Sequence, residues 1–173
     1  MTPIRLIAGL GNPTREHERD RHNAGFWVVD RLAAEMHACF APIGSEGNVA
    51  EGALDGRSVV LLKPTTYMNR SGEAVLALRS RFEFDLDGLL VVHDELDLPF
   101  GVVRGKVGGG TGGHNGLKSL AQGLGGQDFL RVRLGIGRPP AVFRGDQADW
   151  VLTGFNEPAA QVSAMIDQGV RMV

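Results

Sequence analysis

Apolar positions along the chain recur with two periods, and the switches between them predict the layout. Residues 4–10 are an apolar-rich run closed by Gly11-Asn12-Pro13, which reads as a buried strand and a turn. Phe26, Val29, Leu32, Ala33 and Met36 then fall at helical spacing. Segments 48–54 and 58–63 flank Asp55-Gly56, the signature of a tight hairpin. Val75, Leu78 and Phe82 mark a second helix, and 88–93 is a short apolar run suited to a central strand. Residues 102–107 alternate and predict another strand. Leu117, Leu120, Ala121 and Leu124 predict a helix. In 129–136, Phe129, Arg131 and Arg133 alternate with Leu130, Val132 and Leu134, giving a strand with one basic face. Val162, Met165, Ile166 and Gly169 predict a closing helix. Strands alternating with helices, plus one hairpin, predict an α/β fold: a three-layer domain with a mixed sheet flanked by helices.

A chain of 173 residues supports one domain, taken as 1–173. With 43% hydrophobic and 22% charged residues, the composition is that of a globular protein rather than a disordered one. No apolar run reaches the ~18 residues of a membrane span, and no signal-peptide pattern opens the chain. Cys39 is the single cysteine, which excludes an internal disulfide, a thiolate zinc site and a Cys-x-x-Cys redox pair. The expectation is a cytoplasmic protein with no membrane partner. Charge changes the picture further. Residues 1–99 carry ten Lys/Arg against fifteen Asp/Glu, whereas 100–173 carry eight against five. Between 104 and 138, Arg104, Lys106, Lys118, Arg131, Arg133 and Arg138 face only Asp128, so a local anionic partner competes with a merely solvated face.

In open α/β sheets, sites form beyond the carboxyl ends of strands. Asn12 follows the first strand, Asn69 follows the hairpin, and Asp94 follows 88–93. The glycine-rich stretch 108–113 delivers His114 and Asn115 to a helix start, and Arg21-His22 lies in the loop before the first helix. A histidine, an acid and several amides gathered on one edge can hydrolyse: the histidine as base, the acid as its orienter, the amides holding a carbonyl. Each residue also has a structural role open to it. Asn12 suits a turn, Asn69 and Asn115 suit helix N-caps, Asp94 a cap or the surface, and the glycines a flexible loop.

Other chemistries fit less well. Gly9-Leu10-Gly11 lacks the third glycine of a dinucleotide fingerprint, since position 14 is Thr, and Asp30 falls inside a helix. The glycine stretch lacks the Gly-Lys-Ser/Thr ending of a P-loop, and no Gly-x-Ser-x-Gly elbow occurs. His93, Asp94, Glu95 and Asp97 could bind a metal, but neighbours on a strand point to opposite faces.

Six blocks in order resemble the bacterial peptidyl-tRNA hydrolase family: Leu-Ile-Ala-Gly-Leu-Gly-Asn-Pro (6–13), Arg-His-Asn-Ala-Gly (21–25), Lys-Pro-Thr-Thr-Tyr-Met-Asn-Arg-Ser-Gly (63–72), His-Asp-Glu-Leu-Asp-Leu-Pro-Phe-Gly (93–101), Gly-Gly-Gly-Thr-Gly-Gly-His-Asn-Gly-Leu-Lys-Ser (108–119) and Arg-Val-Arg-Leu-Gly-Ile-Gly-Arg-Pro (131–139). The resemblance implies a single domain with a twisted mixed sheet. It implies a monomeric enzyme, needing no metal or cofactor, that cleaves the ester between a peptide and the 3′ ribose of tRNA. It makes His22 the catalytic histidine and Asp94 its partner, with Asn12, Asn69 and Asn115 as active-site amides and Tyr67 as an aromatic beside them. Asn12 or Asn115 would face the oxyanion, and Asn69 and Asn115 would hold peptide backbone. Arg104, Lys106 and Arg133 match positions that hold tRNA. Thr14, His17 and Asp20 depart from the family pattern; Asp20, two residues from His22, either raises its basicity or is silent. Val173 stops inside a helix-like pattern, short of the usual family length, so a truncated last helix is expected. The alternative in another class is a non-catalytic RNA-binding protein on the same fold; a general small-ester hydrolase is a third, without need of the basic stretch.

Overall fold

A computed structural model describes residues 3–173, so residues 1 and 2 of the expected domain lie outside it. Seven strands form one mixed sheet in the order β2-β3-β4-β1-β5-β7-β6. At its centre β1 (Leu6–Gly9) runs parallel to β4 (Arg57–Pro64) and to β5 (Leu89–Glu95), and β5 runs parallel to β7 (Leu130–Gly135). β3 (Gly47–Leu54) joins β4 through the expected hairpin, where Asp55 and Gly56 both take positive φ, 49° and 76°. β6 (Val103–Val107) is antiparallel to β7 at one edge, and β2 (Ala41–Ile43) is antiparallel to β3 at the other.

Period-2 geometry sends alternate strand residues to opposite cores. On one face Leu6, Ala8, Leu62, Leu89 and Val91 pack with α2 (Ser71–Phe82) and α3 (Asn115–Leu124), through Val75, Leu78, Leu117 and Leu120. On the other, Ile7, Leu61, Leu90, Val92 and Val132 pack with α1 (Ala24–Glu35) and α5 (Ala159–Met172), through Val28, Val29, Leu32 and Ile166. Helices cover both faces, which is why the central strands read as unbroken apolar runs.

Two elements escaped the sequence pattern. β2 has only three residues, one of them Pro42, and too few for an alternation. The short α4 (Gln147–Val151) is set by a capping box, in which Asp146 and Asp149 bond each other's backbone, and not by apolar periodicity. The strand expected over 88–93 runs on to Glu95, so Asp94 ends inside β5 and not after it.

The start of α1 lies against the end of β1. A Cβ on Gly25 would meet the Val92 carbonyl oxygen at 2.4 Å, and one on Gly9 would meet the Gly25 oxygen at 2.4 Å. Only glycines allow this approach, and it carries the residues just before α1 onto the carboxyl ends of β1 and β5.

Candidate active site

Asp94 stands at the carboxyl end of β5 with 1% of its surface exposed. The 3-10 turn Arg21–Asn23, held above it by the α1 packing, points His22 at the acid. His22 Nδ1 lies 2.9 Å from both carboxylate oxygens. Because the carboxylate can only accept, Nδ1 carries the proton and Nε2 is left with its lone pair. Burial opposes a charged His22, but the charge and hydrogen bond of Asp94, with a further push from Asp20, raise the imidazole above its ordinary 6.5. Burial likewise opposes ionisation of Asp94, and the facing imidazoles outweigh it, holding the carboxyl well below the usual range. The push from Asp20 is the smallest of these, and Asp20 also accepts from His17 Nδ1 at 2.6 Å.

A second histidine shares the acid. His114 Nε2 lies 2.9 Å from Asp94 Oδ1, while its Nδ1 accepts the backbone N–H groups of Gly116 and Leu117 as the N-cap of α3. Sequence reasoning brought His114 to this edge but gave it no part in the site. Its neighbour His93 points away, donating from Nδ1 to the Asp94 carbonyl at 2.8 Å, and burial pushes it down to about 3. This orientation defeats the metal set His93, Asp94, Glu95 and Asp97. His22, Asp94 and His114 are close enough to suit a metal, with candidate ligand atoms within 4.8 Å of one another. His114 Nε2, however, must carry a proton toward Asp94, since its Nδ1 accepts two N–H groups, and a protonated nitrogen does not ligate.

Asn12 is buried at the end of β1, and its amide is oriented by its neighbours. The Met68 N–H donates to Oδ1 at 2.7 Å, which fixes the amide's orientation, and Asn12 lines the cleft it shares with His22. Asn23 holds the Asn12 backbone on both sides: its Nδ2 donates to the Asn12 carbonyl and its Oδ1 accepts the Asn12 N–H, each at 2.9 Å. Asn12 therefore does more than form a turn, and Asn23 is a site-building residue the motif contained but the sequence alone did not distinguish.

Two clefts meet at His22. One, about 490 Å³, is lined by Asn12, His22, Tyr67, Asn69, Asn115 and Leu152. The other, about 230 Å³, is lined by His22, Asp94, Glu95, Gly113, Asn115 and Gln147. Asn69 and Asn115 are exposed, and neither caps a helix: the N-caps of α2 and α3 are Arg70 and His114. Tyr67 is 54% exposed. Ala148 and Val151 of α4 border both clefts. That segment is fastened to the His22 turn by Arg21, which is fully buried, stacks 3.4 Å over the Trp150 ring and bonds the Thr153 side chain.

The basic strands do lie side by side, Arg104 opposite Arg133 and Lys106 opposite Arg131. Three of these four charges reach the surface. Arg104 and Lys106 are exposed and Arg133 is partly so, 3.8 Å from Glu95. Arg131 is 3% exposed and points into the glycine loop, donating to the carbonyls of Gly110 and Gly109 at 2.6 and 2.8 Å. The loop takes positive φ at Gly108, Gly109, Gly112 and Gly113, so its glycines set a particular path and not merely slack.

Comparison with known proteins gives one answer. A family model described as peptidyl-tRNA hydrolase matches residues 6–173. The peptidyl-tRNA hydrolase of Bordetella avium is 50% identical over 169 residues, 96% of this chain and 82% of that protein. That of Neisseria gonorrhoeae is 48% identical over 168 residues, 96% and 85% of the two chains. The crystal structure of peptidyl-tRNA hydrolase from Acinetobacter baumannii superposes with a TM-score of 0.85 at 38% identity, covering 99% of this chain and 91% of that one.

Proposed function

The chain belongs to the peptidyl-tRNA hydrolase family, and from that premise we propose how its site cleaves the ester between a peptide and the 3′ ribose of tRNA. A water molecule in the cleft attacks the ester carbonyl while His22 Nε2 takes its proton. Asp94 keeps the proton of the neutral ring on Nδ1 and stabilises the imidazolium that forms, the division of labour of a triad with water as the nucleophile. The Asn12 NH2 group meets the oxyanion of the tetrahedral intermediate. Collapse breaks the bond to the ribose 3′ oxygen, which takes the proton from His22 Nε2, leaving free tRNA and a peptide acid.

Asn69 and Asn115 hydrogen-bond the peptide backbone, which every such substrate carries, so side-chain identity matters little. Tyr67 offers an exposed ring to the same cleft. Arg104, Lys106 and Arg133 hold tRNA phosphates by charge and shape. The enzyme acts as a cytoplasmic monomer made of one domain and uses neither metal nor cofactor. No helix among the described residues is long and apolar enough to cross a membrane.

The observation that carries this reading is the 2.9 Å contact of His22 Nδ1 with both oxygens of a buried carboxylate, beside an oriented amide. It is tested by turnover of one defined peptidyl-tRNA. A folded His22→Ala enzyme is expected to lose roughly 10²–10⁴ in kcat. Near-wild-type turnover removes His22 from the mechanism.

A further inference from the structure

Helix N-caps favour Asn, Asp, Ser and Thr, whose short side chains offer one acceptor to the first free N–H groups. A histidine is an unusual choice, and at α3 only its near nitrogen is used for capping. The far nitrogen reaches Asp94 Oδ1 at 2.9 Å, and the His114 ring lies 4.8 Å from that of His22. We propose that His114 is a positioning residue, which shares Asp94 Oδ1 with His22 and occupies part of the acceptor capacity of the carboxylate.

Three observations carry this. Nδ1 faces two backbone N–H groups at 3.1 and 3.3 Å, at the helix end where partial positive charge gathers. Nδ1 accepts there, so the neutral ring carries its hydrogen on Nε2 and donates it to Asp94. Asp94 is buried, and His22 spreads one N–H over both of its oxygens, so a second donor is needed to satisfy the carboxylate and fix its plane. Finally, the carboxylate acts on His22 through its charge, and a second donor moderates that charge. His22 is then held in place without the full pull of that charge on its proton. The groups facing His22 are Asp94 from β5, Asp20 from the preceding turn and the His114 ring. His17 is bound to Asp20, His93 bonds the Asp94 carbonyl, and Glu95 lines the same cleft.

The inference deepens the reading of His22 as base and rests on it, so the test includes a measurement made without substrate. Asparagine places Oδ1 where histidine has Nδ1, so His114→Asn keeps the cap and loses only the donor to Asp94. His114→Ala loses both. The experiment follows the His22 imidazole by NMR titration in wild type and both variants, together with the pH profile of kcat and KM on peptidyl-tRNA. In both variants the His22 midpoint and the acid limb of kcat should rise by about half a unit to one unit, with kcat lowered and KM little changed. His114→Asn titrating and turning over like wild type would reduce His114 to a helix cap and overturn the proposal. If His114→Ala does not fold, His114→Asn against wild type decides alone. Should His22→Ala keep full activity, the base assignment falls, while the substrate-free titration still judges the clamp.

Discussion

The carboxyl end of β5 and the β6–β7 edge both carry charge, but they hold it in opposite ways. Asp94 and His22 are 1% and 7% exposed, and both Asp94 oxygens and His22 Nδ1 are matched to partners. Arg104 and Lys106 lie open on an edge strand, and Arg133 has one distant acid. A proton transfer needs one geometry and a shielded field, so its groups are buried and fixed. A long polyanion needs many replaceable contacts, and exposed flexible cations supply them. Arg131 marks the border: it belongs to the basic strand by sequence, yet it is buried to shape the glycine loop that ends at His114.

The largest effects should follow from the buried end. Asp94→Asn should lower kcat by about as much as His22→Ala, roughly 10²–10⁴, because the amide can present an N–H to Nδ1 and reverse the tautomer. A kcat within a few-fold of wild type, on the scale of a general base's worth, would break the contrast. Asn12→Ala should cost about 10²–10³ in turnover with the fold kept. Asn69→Ala should mainly raise KM, and if both asparagine variants lost only stability, by ~1 kcal/mol, their role would be structural.

Protonation gives a sharper contrast. His22 must be neutral to act, and its value is raised above 6.5, so kcat should fall as pH drops through that raised value. Stability runs the other way. The raised value means that the folded state binds the proton more tightly than the unfolded chain does. The stabilisation is complete below 6.5 and is lost as pH rises through the folded value. The melting-temperature gap between wild type and His22→Gln should therefore widen toward acid over the same window in which activity declines. A gap independent of pH would show that Asp94 does not hold the charged ring.

The exposed edge should give the smallest effects. Replacing Lys106 or Arg133 with Ala should flatten the dependence of log K on log salt by about 0.7–0.9 for each lost phosphate contact. Hydrolysis of a short aminoacyl-ester mimic should be nearly untouched, and an equal loss on both substrates would place these residues at the ester instead. Chelators should leave activity unchanged; loss on chelation restored by zinc would turn His22, Asp94 and His114 into a metal site.

Strand-end logic led from sequence to Asn12 and Asp94 because a sheet's topology gathers its carboxyl ends whatever the side chains do, whereas His22, in the turn before α1, was singled out by the family resemblance. The partners of those residues were not legible in the same way. Asn23 and Met68 orient Asn12 across 11 and 56 residues of chain, and Arg21 reaches Thr153 across 132. Such pairings exist only after packing. Arg131 shows the limit of periodicity: period 2 assigned its face correctly, but not whether solvent or the glycine loop would meet it.

The most direct test measures binding and chemistry separately on one peptidyl-tRNA, comparing wild type, His22→Ala and Lys106→Ala in single-turnover experiments at saturating enzyme. His22→Ala should keep its Kd within about twofold while its cleavage rate falls by roughly 10²–10⁴. Lys106→Ala should bind more weakly and, once saturated, cleave at the wild-type rate. A His22→Ala enzyme that cleaves at the wild-type rate, or a Lys106→Ala enzyme slow even when saturated, would contradict the division between a buried base and an exposed grip.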